Sequence, residues 1–266
     1  MDLHLFATDV SALELLKQLG PEDSVTRLIV PSNRLGSEKI ARLIDAADLP
    51  IYEQRRRKPL DPDLPSADAA ISWLYSQIID AQDLARYPVG MLNMHGGTIP
   101  EYRGANVLQW AIINGEKELG ITWHELVEEV DAGPIWVESR IPIPPTATAV
   151  EMRAAMIVEA LRLFPKAWAR FRNKLGHPRI PKLDQGRVWP SRKPEDGRIA
   201  PGWPGGRVRD MVRALCSPWP PATVCCDGSW VPVGGVLKRP EPGTIPYRTA
   251  EGTLVYLRRT RTETAS

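Results

Sequence analysis

The sequence is poor in cysteine, with three in 266 residues, and two of them, Cys225 and Cys226, are adjacent. An odd count that includes an adjacent pair argues against a disulfide framework, and the spacings typical of metal ligands are missing. We therefore expect a reduced, cytoplasmic protein without a metal site.

Long apolar runs and a strong charge of one sign are also lacking. No run approaches the roughly 18 apolar residues that a membrane-spanning helix needs, and the first residues lack the basic region of a signal peptide. The formal net charge is only +2, which gives no electrostatic reason for a nucleic-acid or membrane partner. We expect neither as a partner, and a homodimer is left open.

Strand-like and helix-like segments alternate through the first 145 residues. This rhythm predicts an α/β fold, with a mostly parallel sheet covered by helices on both faces. No GxGxxG follows the first strand, so a dinucleotide site is not supported. The predicted strands are LHLFAT (3–8), TRLIVP (26–31), LPIYE (49–53), AAISWLY (69–75) and GMLNMH (90–95), and the first two helices are Val10–Leu19 and Ser37–Ala47.

The pattern changes after Gly120. A β-hairpin is predicted around the turn 130–133, followed by a long helix over 147–172 in which Pro165 predicts a kink or a break. The Pro- and Gly-rich remainder has short β-like runs and one helix near 205–216. These features predict a domain over 1–172, a linker over 173–190 and a small β-rich domain over 191–266.

Chemistry is concentrated in residues 92–135. Asn93 and His95 are two apart on a predicted strand, so their side chains point the same way at the end where open α/β sheets place ligands. Arg103 and Gly104 are expected to open the next helix, whose N-terminus would attract anions. The turn that bears Asp131 can fold back over the same edge. Spacing alone also fits a local hydrogen-bonding pair and ordinary turn chemistry.

The same stretch resembles the signature of the 10-formyltetrahydrofolate-dependent formyltransferases. The matching residues are Asn93 and His95, Pro100 to Gly104, Gln109 to Gly115, Gly120 to Thr122, and Asp131 to Gly133. The segments 191–199 and 208–222 resemble the start of the C-terminal domain of methionyl-tRNA and aminosugar formyltransferases. One departure is Gly97-Thr98-Ile99-Pro100, where many members have Ser-Leu-Leu-Pro.

The resemblance implies a formyltransferase-type Rossmann-like fold with an OB-like C-terminal domain, and it implies the site. Asn93 and His95 would stabilise the tetrahedral intermediate, and Asp131 would help to remove a proton from the incoming amine. 10-Formyltetrahydrofolate would be the co-substrate, with no metal. The implied folate-binding residues are Ser72, Trp73, Leu74, Tyr75, Ile78 and Val130, and the implied acceptor-binding residues are Gly96, Gly97, Thr98, Tyr102 and Arg103.

The acceptor is less well defined. The layout most resembles sugar-nucleotide N-formyltransferases, which implies a dTDP-, UDP- or GDP-linked aminosugar. The segment 31–50 has little room for the basic insertion of methionyl-tRNA enzymes, and the basic run 55–58 fits a solvated face. The alternative acceptors are an amino acid or hydroxamate precursor and methionyl-tRNA. A further alternative is a non-enzymatic folate- or nucleotide-binding module, which would need the catalytic trio of Asn93, His95 and Asp131 to be incomplete.

Overall fold

The computed structural model describes residues 1–56 and 58–260. Arg57, from the basic run, and residues 261–266, from the predicted C-terminal domain, lie outside the described residues.

The described chain contains fourteen strands and six α-helices. The strands are β1 (Asp2–Ala7), β2 (Ser24–Pro31), β3 (Ile51–Gln54), β4 (Ala69–Trp73), β5 (Gly90–His95), β6 (Arg103–Gly104), β7 (Glu118–Glu125), β8 (Ile135–Pro142), β9 (Val188–Trp189), β10 (Arg198–Ile199), β11 (Ala222–Cys226), β12 (Ser229–Leu237), β13 (Ile245–Arg248) and β14 (Leu254–Arg259). The helices are α1 (Ala12–Leu16), α2 (Glu38–Ala47), α3 (Ala81–Leu84), α4 (Val107–Ile113), α5 (Ala149–Arg172) and α6 (Gly205–Ala214).

A seven-stranded sheet has the order β3-β2-β1-β4-β5-β7-β8. Strands β1 to β5 pair in parallel, whereas β7 runs antiparallel to β5. The prediction of a mostly parallel sheet is confirmed. Since the carboxyl ends of β1 to β5 share one edge, the residues that follow them are grouped there.

The two faces of this sheet are covered by different elements. On one face Phe6 and Met91 belong to a buried cluster that includes Leu60 and Tyr87, and Leu84 of α3 packs against it. On the other face Trp123 contacts Phe164 of α5. Both faces are thus buried, which explains why β4 is apolar except for one serine.

Two helices differ from their predicted form. Helix α1 has five residues, shorter than the predicted Val10–Leu19. Helix α5 runs unbroken through Pro165, although a proline removes one helical hydrogen bond. Phe164, Trp168 and Phe171 are buried on both sides of the proline, and this packing holds the helix together.

The chain divides into two compact units that are discontinuous in sequence. The first comprises 1–103, 120–140 and 157–187, and the second comprises 104–119, 141–156 and 188–266. These units do not coincide with the predicted domains 1–172 and 191–266. The predicted domain boundaries therefore remain a prediction. In the second unit α4 packs against α6, and Trp110 donates to the Pro190 carbonyl.

The second unit contains the separate C-terminal sheet that the sequence predicts. Its order is β10-β11-β12-β14-β13, and α6 contacts β12. The small β-rich C-terminal part is therefore confirmed, with β13 as a strand that the sequence pattern did not reveal. Throughout the described ranges, no helix is long and apolar enough for a membrane span.

Candidate active site

A polar strip crosses the face of the first unit's sheet where β5 and β7 pair. His95 lies opposite Thr122, and Asn93 lies opposite His124. Paired residues of antiparallel strands project to the same face, as do residues two apart on one strand. Four polar side chains therefore meet on two strands whose other buried positions are apolar or glycine.

Asp131 reaches this strip from the connection 126–134. Its φ of 46° is left-handed, a conformation that aspartate tolerates better than most residues. Its Oδ2 lies 3.4 Å from Nδ1 of His95, and its Oδ1 lies 3.4 Å from Nε2 of His124. The connection folds back as the sequence predicted, and one largely buried carboxylate lies between two imidazoles.

His95 is engaged at its second nitrogen as well. Nε2 lies 2.5 Å from the Tyr102 carbonyl oxygen, so both ring nitrogens face oxygen atoms that can accept a hydrogen bond. Thr122 donates from Oγ1 to the Gly97 carbonyl at 2.8 Å and fixes the start of the same loop. An imidazole, a carboxylate and an amide in this arrangement can move protons and donate to a developing oxyanion.

Arg103 does not open a helix, which corrects the prediction. Arg103 and Gly104 form the short strand β6, and α4 begins at Val107 after Asn106 adopts a left-handed conformation. The buried Arg103 side chain donates from Nε to the Val130 carbonyl at 2.8 Å and from Nη2 to Glu129 at 2.6 Å. Its guanidinium braces the connection that bears Asp131, and its contact with an acceptor stays a prediction.

The predicted folate residues lie at the end of β4 and on the loop behind it. Ser72 is buried and pairs with Asn93. Trp73 is a core residue that donates to Ser11 and stacks on Trp123, so only its backbone is available to a ligand.

The next residues turn away from the strand. Leu74 has a φ of 51°, and the Tyr75 hydroxyl donates to Gln54 at 2.6 Å. Burial raises the pKa of Tyr75, so the hydroxyl stays protonated. Ile78 is 79% exposed and Val130 39% exposed, which leaves two apolar side chains accessible on segments that flank the strip.

The predicted acceptor residues lie on the loop after β5. Gly96 follows His95 directly, and Gly97 is packed so tightly that a Cβ would lie 2.7 Å from His95 Nε2 and closer still to the Tyr102 carbonyl. Tyr102 is half-buried, and its backbone N–H donates to Thr98. Thr98 also lines a cavity of about 440 Å³ with Thr122, Glu138 and Arg179.

Two members of the strip were not among the predicted site residues. Because side chains alternate along a strand, the sequence predicts that His124 and Trp123 point to opposite faces of the sheet, and they do. Trp123 lies in the apolar core. Only the register of β7 on β5, a long-range feature, places His124 beside Asn93. Thr122 belongs to the segment Gly120 to Thr122 that resembles the family signature, but the resemblance implies no role for it.

Comparison with known proteins shows that the polar strip lies within a segment that matches a known family. Residues 58–167 match the sequence model of a family described as formyl transferase. That segment contains Asn93, His95, His124 and Asp131.

Solved structures with the same fold include three formyl-transfer and related proteins. HypX from Aquifex aeolicus, in complex with tetrahydrofolic acid, is 20% identical over 96% of this chain, with a TM-score of 0.63. An N-formyltransferase from Helicobacter canadensis, in complex with folinic acid and dTDP-3-aminofucose, is 12% identical over 97% of this chain and 99% of its own, with a TM-score of 0.71. A 4-N formyltransferase from Francisella tularensis is 18% identical over 88% of this chain and 96% of its own, with a TM-score of 0.75. The chain spans 43% of the HypX chain.

Proposed function

We propose that this chain, of which residues 58–167 match the formyl transferase model, transfers the formyl group of 10-formyltetrahydrofolate to the amino group of an aminosugar nucleotide. The observation that carries this proposal is the grouping of Asn93, His95 and Asp131 on one polar strip within the matched segment. Aminosugars linked to dTDP, UDP or GDP are the proposed acceptors.

Each member of the trio suits one charge change of the reaction. The amine nitrogen attacks the formyl carbon, the carbonyl oxygen becomes negative, and the folate nitrogen leaves with a proton. Asn93 does not titrate, and its amide nitrogen can donate a hydrogen bond to the oxyanion. Asp131 can accept the proton that the amine loses. His95 lies against Asp131 and can return a proton to the departing nitrogen.

The loop behind β4 supports a folate site. Ile78 is the most exposed large apolar side chain of the described residues, and it lies just beyond the carboxyl end of a central parallel strand, where such sheets bind ligands. An exposed isoleucine fits a flat, largely apolar ring system. Ser72, Leu74, Tyr75 and Val130 complete the proposed folate contacts, with Trp73 acting through its backbone.

Two observations support a small acceptor. Only residues 32–37 connect β2 with α2, so this connection carries no long basic arm. The N-formyltransferase from Helicobacter canadensis, which shares the fold over nearly the whole of both chains, was crystallised with an aminosugar nucleotide. Gly96, Gly97, Thr98, Tyr102 and Arg103 remain the proposed acceptor-binding residues.

The test is an acceptor screen on the purified protein. We would incubate it with 10-formyltetrahydrofolate and dTDP-, UDP- and GDP-linked aminosugars, methionyl-tRNA and an amino acid precursor. Release of tetrahydrofolate and gain of one formyl group by mass would be measured. We expect turnover on a sugar nucleotide and much less with Asp131→Asn. Equal rates on methionyl-tRNA would refute the choice of acceptor, and no transfer to any amine would refute the activity.

A further inference from the structure

We propose that His124 is a positioning residue that sets the orientation of the Asn93 side-chain amide, and thereby decides whether Asn93 can donate to the oxyanion. The inference rests on the proposed function only for its catalytic consequence. The contact itself is a property of the folded protein.

The backbone fixes the tautomer of the neutral His124 ring. His124 is fully buried on β7, and its Nδ1 lies 3.0 Å from the carbonyl oxygen of Glu125. A carbonyl oxygen is only an acceptor, so Nδ1 carries the hydrogen and donates it. In the neutral ring Nε2 is then left with a lone pair.

That lone pair faces Asn93. Nε2 of His124 lies 3.0 Å from Nδ2 of Asn93, so one amide hydrogen of Asn93 is donated to the ring. The second amide hydrogen remains for a substrate oxygen. The two ends of an asparagine amide have nearly the same shape, and rotation about its last bond is only weakly restricted. Without an acceptor at His124, the amide could turn its oxygen towards the oxyanion and repel it.

Two further groups face the His124 ring. Asp131 Oδ1 lies 3.4 Å from Nε2, and the His95 ring meets it edge-on at 6.1 Å. His124 therefore contacts every member of the trio, and the lone pair at its Nε2 is the acceptor that favours the nitrogen end of the Asn93 amide.

The chain offers a matched set of variants. His124→Gln keeps an oxygen acceptor near the position of Nε2 and cannot be protonated, whereas His124→Leu removes the acceptor at similar volume. His4 is a buried strand histidine on β1 whose Nδ1 contacts Tyr87, and it touches no member of the trio, so His4→Gln and His4→Leu control for loss of a buried imidazole.

We expect His124→Leu to lower kcat by roughly 10- to 100-fold with little change in either KM, somewhat less than complete loss of an oxyanion donor. His124→Gln should recover most of that loss, because it restores an acceptor for the Asn93 amide. In an Asn93→Ala background His124→Leu should cost little more. The His4 variants should keep the wild-type kcat. Full additivity with Asn93→Ala, or equal losses in His124→Gln and His124→Leu, would overturn the proposal.

A measurement without turnover separates this inference from the proposed activity. The side-chain amide signals of Asn93 in ¹⁵N-labelled protein are identified by their loss in Asn93→Ala. We expect these signals to move clearly in His124→Leu, which removes the acceptor, and to stay close to their wild-type positions in His124→Gln. If they are unchanged in His124→Leu, His124 does not orient Asn93, whatever the outcome of the acceptor screen.

Discussion

His95 is held at both ring nitrogens in the free protein, by the Tyr102 carbonyl and by the Asp131 carboxylate. The Nε2 hydrogen is thus already donated within the chain. For Nε2 to serve a substrate oxygen or nitrogen, the Tyr102 carbonyl must be replaced by the substrate. In the proposed reaction the loop that carries Tyr102 would therefore be part of the catalytic geometry, although its side chains need not react.

Substitutions in the trio should show that its members act as a unit. We expect His95→Asn and Asp131→Asn each to lower kcat by about 10² or more, the usual scale for a lost acid–base group. Asn93→Ala should cost about 10² to 10³, as for an oxyanion donor. The double variant of His95 and Asp131 should lose far less than the product of the single losses. Steady-state kinetics on folded variants tests this, and additive losses or an active Asp131→Asn would contradict it.

Gly97 offers a second test at this scale. A Cβ at this position would lie 2.7 Å from His95 Nε2 and would also meet the Tyr102 carbonyl, so Gly97→Ala must push these two groups apart. We expect kcat to fall by at least about tenfold, since small displacements of catalytic groups are costly. Gly36→Ala is the control, because a Cβ there meets nothing within 4 Å. Equal activity of the two variants would show that the close packing is unimportant.

At the scale of elements, the antiparallel strand β7 distinguishes this sheet from a purely parallel one. Strand β7 runs antiparallel to β5, and its register brings Thr122 and His124 beside His95 and Asn93 on the polar strip. The connection after β7 then folds back over the strip and delivers Asp131. The candidate site is thus built from the end of β5, from β7 and from the connection that follows β7.

Arg103 couples two of these parts, because it lies at the end of the loop after β5 and binds the connection that bears Asp131. We expect Arg103→Met to lower kcat by about tenfold or more by releasing Asp131, and Arg103→Lys to be intermediate, since an ammonium cannot match both contacts of the guanidinium fork. Arg42→Met is a control arginine that pairs with Glu38 on α2. Wild-type kcat in Arg103→Met would show that the brace is dispensable.

The element scale also shows how far the sequence could predict the site. The Asn-x-His spacing and the strand pattern predicted that Asn93 and His95 share one face at the end of a strand, because both depend on local periodicity. Their catalytic roles came from the family resemblance and stay a prediction. The helix expected at Arg103 begins at Val107, since Asn106 adopts a left-handed conformation that periodicity does not reveal. His124 was missed because strand register is set by contacts distant in sequence.

At the scale of the whole molecule, a buried histidine outside the site links stability to pH. His4 lies on β1 with Nδ1 3.0 Å from the Tyr87 hydroxyl, and its Nε2 has no hydrogen-bond partner among the described residues. Burial, reinforced by the positive charges of Arg27 and Arg86, lowers the pKa of His4 from 6.5 to about 4. The folded state therefore holds the neutral ring.

The sign of the pH effect follows from proton uptake. Between pH 6.5 and about 4 the unfolded chain binds a proton at His4 that the folded chain does not, so the free energy of unfolding should fall as the pH falls through this window. Below about 4 both states are protonated and the loss levels off, at roughly 3.5 kcal/mol at most. We expect His4→Leu to flatten this part of the profile in urea unfolding measured at a series of pH values. His177→Leu is the control, because it removes an exposed histidine instead of a buried one. If His4→Leu has the same slope as the wild type between pH 4 and 6.5, burial of His4 does not govern the acid lability of the fold.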